Sequence, residues 1–210
     1  IAEQLGKDPV LAGSVRRNPG LRVPGAFDGF ELVVRAILGQ QITVKAATTL
    51  SGRFAEAFGE PVQTPYPQLT RLSPTPQRVA RASVGEIARL GIVKARATTL
   101  LAMAQAFRDG TLRLDPGADP EDVIPRLIAI PGIGPWTAHY IAMRALRWPD
   151  AFPKEDIAVR NAVGRVSAKV ADERSQAWRP WRSYATLHLW NSGKPASTIS
   201  GTPKGNPSKA

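Results

Sequence analysis

Three features of this chain could do chemistry: a carboxylate, an aromatic pair and a glycine-punctuated turn. The carboxylate is Asp156, in Phe152-Pro-Lys-Glu-Asp-Ile157. A fixed anion can stabilise positive charge that develops beside it. By residue type alone, however, Asp156 reads as an N-cap for a helix starting near Ile157. Glu155, Asp150 and Asp172 are equal contenders for the chemical role. Trp136 and Tyr140 stand four residues apart, so both rings fall on one helix face. Spacing alone reads them as a core aromatic pair. The turn is Ile130-Pro131-Gly132-Ile133-Gly134-Pro135-Trp136-Thr137-Ala138. Two glycines two apart permit a backbone path that side chains would block. Such a path aims free amides at the start of the next helix, where the helix dipole also favours an anion. It is either a phosphate grip indifferent to base sequence or an ordinary helix–helix loop.

The elements that must position these groups are helices. Asp28-Gly29-Phe30-Glu31 reads as a capping box, followed by a helix through Leu32, Val33, Val34, Ile37 and Leu38 up to Gly39. Gln40-Gln41-Ile42 forms a tight corner, with Gln41 a solvated loop residue on this reading. A second helix starts at about Thr43, with Leu50, Phe54 and Phe58 at helical spacing. Prolines 61, 65, 67, 74 and 76 mark an irregular connection. Ser83 caps a short helix that stops at Gly91. Further helices are expected over Lys94 to Asp109, Glu121 to Ile130, Trp136 to Arg147, Ile157 to Val166 and Ser183 to Trp190. Period-two strand patterns are absent from the sequence.

Charge and composition narrow the partner. The 210 residues carry 28 Lys plus Arg against 17 Asp plus Glu, a formal net charge of +11. That balance favours a polyanion, above all nucleic acid. With no cysteine, disulfides, thiolate-bound zinc and cysteine-held iron–sulfur clusters are excluded. The two histidines, His139 and His188, sit on apolar helices and read as structural. No apolar run is long enough for a membrane-spanning helix, and the first residues do not form a signal peptide. An intracellular, soluble protein is expected. The chain starts at Ile1, so a processed product or a fragment lacking an upstream domain is also expected.

The Gly/Pro turn resembles the hairpin of the helix-hairpin-helix base-excision DNA glycosylases. Pro19-Gly-Leu-Arg-Val-Pro-Gly25, Arg35-Ala-Ile-Leu-Gly-Gln40, Pro74-Thr-Pro-Gln-Arg78 and Trp178-Arg-Pro-Trp-Arg-Ser-Tyr184 are similar to the bacterial 3-methyladenine DNA glycosylase II subfamily. The resemblance covers about residues 10–191. It implies an all-α, two-lobed helix-hairpin-helix glycosylase fold with the active-site cleft between the lobes. One lobe would span about 30–147, the other about 1–29 plus 148–191, and 192–210 would be a flexible basic tail.

The resemblance also assigns roles. It implies that Asp156 is the catalytic carboxylate, and that Trp136, Tyr140 and Trp190 line an electron-rich pocket for a flipped, cationic alkylpurine. Ile157 departs from that pattern, standing where an aromatic can occur. Gln41 would be the wedge that fills the gap left by the flipped base. Gly132, Gly134 and Thr137 would hold DNA. Arg182 would touch phosphate or pack on Trp181. The backbone carbonyls of Ile130 and Ile133 would seat a monovalent cation, with no side-chain metal site and no other cofactor. Trp136 stands where lyase-type relatives carry a Schiff-base lysine, which implies a monofunctional enzyme. The expected reaction is hydrolysis of the N-glycosidic bond of alkylated purines in duplex DNA. A monomer is expected, bound to DNA. Two alternatives stay open: a non-catalytic DNA-binding module, and the glycosylase part of a larger repair or regulatory fusion.

Overall fold

Capping side chains decide where most of the longer helices begin. The computed structural model describes residues 1–192. After two short helices without side-chain caps, α1 (Ala2–Leu5) and α2 (Ala12–Arg17), the Asp28 carboxylate accepts the Glu31 amide at 2.6 Å. This opens α3 (Gly29–Leu38). Thr43 opens α4 (Val44–Phe58), and Thr75 opens α5 (Pro76–Val79). Ser83 and Glu86 form a reciprocal capping box on α6 (Val84–Ala88). Then follow α7 (Lys94–Arg108) and α8 (Pro120–Ile128), the latter capped by Asp119. The hairpin leads into α9 (Pro135–Arg144), which has no side-chain cap. Asp156 caps α10 (Ile157–Ala162) and Ser167 caps α11 (Ala168–Ser175). A single 3-10 turn, Gln176–Trp178, precedes α12 (Arg182–Asn191). Among the described residues, β-pairing is limited to one isolated bridge between Pro61 and Arg71.

Several details differ from the periodicity reading, which has no helix at α1, α2 or α5. The helix expected to reach Arg147 stops at Arg144, because Arg147 takes a φ of 57° in the left-handed region. The one expected to reach Val166 stops at Ala162, where Gly164 and Arg165 both take positive φ. A separate helix, α11, follows where periodicity shows none: its charged residues hide the buried Ala171. The stretch expected to be a flexible basic tail lies outside the described residues, apart from Ser192.

Two hydrophobic clusters result. The larger gathers Ile37 and Leu38 of α3, Phe54 of α4, Leu100 and Met103 of α7, Leu127 of α8 and Ile141 of α9. The smaller joins Leu5 and Leu11 with Phe152, Val159, Trp178 and Leu189. Each fully buried aliphatic side chain contributes ~1.5–3 kcal/mol, so these clusters, not the loops, set the helix orientations. Leu21, Val23 and Ala26 of the N-terminal stretch pack on the larger cluster. Trp190 touches both clusters, which places the end of α12 at their junction.

Candidate active site

Asp156 is at once a helix cap and the centre of a polar cluster. One carboxylate oxygen, Oδ1, accepts the Val159 amide at 2.8 Å and the Trp190 indole N–H at 3.2 Å. The other, Oδ2, accepts the Trp136 indole N–H at 2.8 Å. The two roles left open by the residue types are therefore compatible, since capping uses one lone pair and holds the group still. The donors come from α9, α10 and α12, so three elements and both hydrophobic clusters converge on one carboxylate. Hydrogen bonds to an ionised acceptor are worth about 1.5–3 kcal/mol each, enough to fix its orientation.

Two of the other carboxylate contenders separate by their partners. Asp150 is 5% exposed and is gripped by Arg182 through Nε and Nη2, both at 2.8 Å. Arg179 adds a third contact at 2.6 Å. Asp172 pairs with Lys154 at 3.1 Å and lies 3.8 Å from Arg182. Both acids are neutralised in place. Glu155 lies nearer the chemistry, in the same cavity as Asp156, with its Oε2 buried and unpartnered among the described residues.

Arg182 is corrected by this geometry. It is 5% exposed, and its fork is spent on Asp150. A buried guanidinium paired to an internal carboxylate cannot reach a DNA phosphate. Arg182 instead anchors the start of α12 to the segment that leads to Asp156. Ser183 strengthens the same joint, with its hydroxyl donating to the Trp148 carbonyl at 2.8 Å.

A cavity of about 620 Å³ opens above Asp156. Its walls include Gln41, Gly132, Gly134 and Thr137 from the larger-cluster side, and Asp156 and Ile157 from the α10 side. Trp136 supplies the aromatic surface. Tyr140 does not line this cavity. Its ring stacks under Trp136 at 5.4 Å and 6° between planes, and Arg144 donates to its hydroxyl at 2.9 Å. Tyr140 is therefore a backing plate for Trp136. Trp190 is likewise absent from the wall and approaches Asp156 by its indole edge. Ile157 is 71% exposed and stands at the cavity rim.

The hairpin's two glycines do different work. Gly132 has φ 91°, and a Cβ there would collide with Thr99 Oγ1. That position requires glycine for internal reasons. Gly134 has φ −90° and open space where a Cβ would be, so nothing inside the protein demands glycine. Its bareness is felt only on the solvent side. Because α9 carries no side-chain cap, the amides of its first turn are left open. The Thr137 side chain faces inward: the residue is 4% exposed and its hydroxyl faces Gln40. Only its backbone amide remains at the helix start. Gln41 is exposed at the corner before α4, with φ 54°, a region L-residues seldom occupy.

Residues 34–181 match the HhH-GPD superfamily of base excision DNA repair proteins. The chain belongs to this superfamily. A probable bifunctional transcriptional activator/DNA repair enzyme AlkA of Mycobacterium tuberculosis is 42% identical over 194 residues, 90% of this chain and 38% of that protein. DNA-3-methyladenine glycosylase 2 of Escherichia coli is 39% identical over 173 residues, 82% of this chain and 61% of that enzyme. The chain thus spans less than two thirds of either relative. Among solved structures, the Schizosaccharomyces pombe 3-methyladenine DNA glycosylase in complex with abasic DNA superposes with TM-score 0.74 at 24% identity. That match covers 93% of this chain and 97% of the other. A Clostridium acetobutylicum 8-oxoguanine glycosylase/lyase in complex with DNA gives TM-score 0.77 at 20% identity, covering 91% of this chain and 68% of that one. The all-α fold of HhH-GPD glycosylases is the fold of this chain.

The HhH-GPD resemblance led to Asp156 and Trp136 but passed over Gln40 and Arg96, which also line the cavity. Gln40 lies in the Arg35–Gln40 segment and Arg96 on α7. Nothing in their spacing marks them, because their partners are 56 to 97 residues away. His188 is buried and His139 half-buried. Burial lowers the pKa of His139 below the usual 6.5, against an opposing pull from Glu155. Burial alone lowers that of His188, whose Nδ1 lies 3.2 Å from Ser14 Oγ.

Proposed function

We propose that this chain is a monofunctional DNA glycosylase that releases alkylated purines, such as 3-methyladenine, from duplex DNA. The observation that carries this reading is the Asp156 carboxylate, immobilised by three N–H donors beneath a cavity with an indole wall. A base alkylated at N3 or N7 is cationic, so it is drawn to the face of Trp136. When the C1′–N bond breaks, the bonding pair leaves with the base, which becomes neutral. The sugar becomes an oxocarbenium ion, whose charge Asp156 opposes at close range. Water then adds at C1′ and gives up a proton, leaving an abasic site. Among the described residues, no lysine lines the cavity, which favours hydrolysis over Schiff-base lyase chemistry.

DNA binding follows from the same geometry. The net charge of +11 supplies non-specific attraction. The open amides at the start of α9 and the bare Gly134 suit a phosphate, and Gln41 suits the space a flipped base vacates. The hairpin carbonyls also fit a monovalent cation. Ile130 O accepts only the Ile133 amide, at 3.0 Å, and no backbone amide among the described residues donates to Ile133 O. Such an ion would neutralise charge and help orient the hairpin. The reading further places the protein inside the cell, on DNA, as a monomer. Among the described residues no helix is long and apolar enough to cross a membrane.

The test is base release from a methylated duplex by the protein and by Asp156→Asn. Asparagine is also a good N-cap, so α10 should survive. Its amide group removes the charge and sets a donor against the Trp136 N–H. The variant should bind duplex normally and release base at least a hundredfold more slowly, roughly the cost of losing a transition-state stabiliser. Near-normal release would reject Asp156 as the catalytic group. Borohydride trapping of an enzyme–DNA adduct would reject the monofunctional reading. A non-catalytic DNA-binding module is disfavoured by the three donors that the fold spends on Asp156.

A further inference from the structure

Gln40 and Arg96 belong to a closed ring of hydrogen bonds that joins the Gln41 corner to the hairpin. Arg96 Nη2, on α7, donates to the Gln40 carbonyl at 2.7 Å. The Gln40 side-chain amide donates to the Gly132 carbonyl at 3.1 Å and to Thr137 Oγ1 at 3.2 Å. One turn along α7, the Thr99 hydroxyl donates to the Pro131 carbonyl at 2.8 Å. Arg96 and Thr99 are three residues apart, so they lie on one face of that helix. The ring therefore runs from α7 to the corner, from the corner to the hairpin, and from the hairpin back to α7.

Two features show that the ring is more than packing. The Gln40 carbonyl shares a peptide plane with the Gln41 amide. Holding that plane from Arg96 constrains the left-handed backbone at Gln41, where φ is 54°. In addition, Arg96 Nε is buried and has no acceptor among the described residues. An unpaired buried donor is costly, so Arg96 is not placed for its own satisfaction. Its favourable contact is the one that fixes the corner.

We infer that Gln40 and Arg96 are positioning residues for base extrusion. They lock the Gln41 corner at a set distance from the hairpin, so that gripping phosphate and inserting Gln41 occur in one rigid frame. Reaching into a duplex needs such pre-orientation, because a wedge that must first be ordered loses its advantage. The inference rests on the base-flipping reading above and names what makes the flipping efficient.

The experiment measures three quantities on each protein: affinity for undamaged duplex, extrusion reported by 2-aminopurine beside a methylated base, and single-turnover base release. Gln40→Met keeps the length of the side chain and loses its donor. It should bind duplex within about twofold of the parent, while extrusion and release each fall roughly tenfold. Arg96→Met should behave in the same way, and Arg96→Lys, which can still donate to the Gln40 carbonyl, should recover most of the loss. Gln40→Glu, whose carboxylate cannot donate to Gly132, serves as the second variant if Gln40→Met melts early, and should show the same split. Parent-like extrusion in folded Gln40 variants would overturn the inference. So would a proportional loss of duplex affinity and extrusion, the mark of a general structural defect. If the parent extrudes the base but releases none, the glycosylase reading fails while the positioning role is still decided by the extrusion signal. If the parent extrudes nothing, both fail.

Discussion

The Trp136 indole N–H donates to Asp156 Oδ2 at 2.8 Å. The residue that supplies the cavity's aromatic face is thus also a direct support of its carboxylate. The same ring also stacks on Tyr140. Trp190 adds a second indole on Oδ1 at 3.2 Å, so the carboxylate is held from both sides.

Trp136→Phe separates the two roles. Phenylalanine keeps a ring to stack on Tyr140 and on a base, and removes the N–H. The loss of one charge-assisted hydrogen bond, about 1.5–3 kcal/mol, predicts a fall of roughly ten- to a hundredfold in single-turnover release. Duplex affinity should be unchanged. Wild-type release by this variant would mean that the indole serves only as a stacking surface.

The glycines of the hairpin should respond in opposite ways. Gly132→Ala forces a Cβ into Thr99 and a side chain into φ 91°, so thermal stability should drop by about 1–3 kcal/mol. Gly134→Ala meets open space and should melt like the parent. Its added methyl stands where a phosphate would approach, so affinity should weaken for damaged and undamaged duplexes alike. Full duplex affinity in a folded Gly134→Ala protein would reduce the hairpin to a packing loop.

Arg182→Ala tests the buried joint beneath the site. Removing the guanidinium leaves Asp150 buried, with Arg179 as its remaining charged partner. Breaking such a pair costs about 3 kcal/mol, to be read as a lower denaturation midpoint. The salt dependence of duplex binding should keep its slope, since no phosphate contact is lost. A slope lower by about one would return Arg182 to the DNA surface.

The histidines set a pH response. Burial holds His139 and His188 below their usual 6.5, so the folded chain resists protonation that the unfolded chain accepts. This stability is fully present above about pH 6.5. It is lost as pH falls from there through the depressed folded values. The melting temperature should therefore decline as pH falls below about 6.5, and the decline should shrink in a His139→Gln, His188→Gln double variant. An equal decline in the double variant would place the response elsewhere.

Much of the fold was readable along the chain, because caps and apolar spacing are local. Asp28, Thr43, Ser83 and Asp156 each open a helix from within three residues of the amide they bind. The hairpin was legible for the same reason: glycines, prolines and the helix that follows are contiguous. Asp156 stood out only through the family resemblance, since residue type alone made Glu155, Asp150 and Asp172 its equals. Tertiary structure set two of them apart by pairing Asp150 with two arginines and Asp172 with Lys154, and left Glu155 and Asp156 on one cavity, where only Asp156 accepts the indole donors. It also turned Arg182 inward, moved Tyr140 behind Trp136, and brought Gln40 and Arg96 to the hairpin. Hydrogen bonds that close over 56 to 97 residues leave no periodic trace, because each depends on where whole helices come to rest. The sequence by itself determined which groups could act and where most of the longer helices start. Packing of the two clusters decided which of those groups meet.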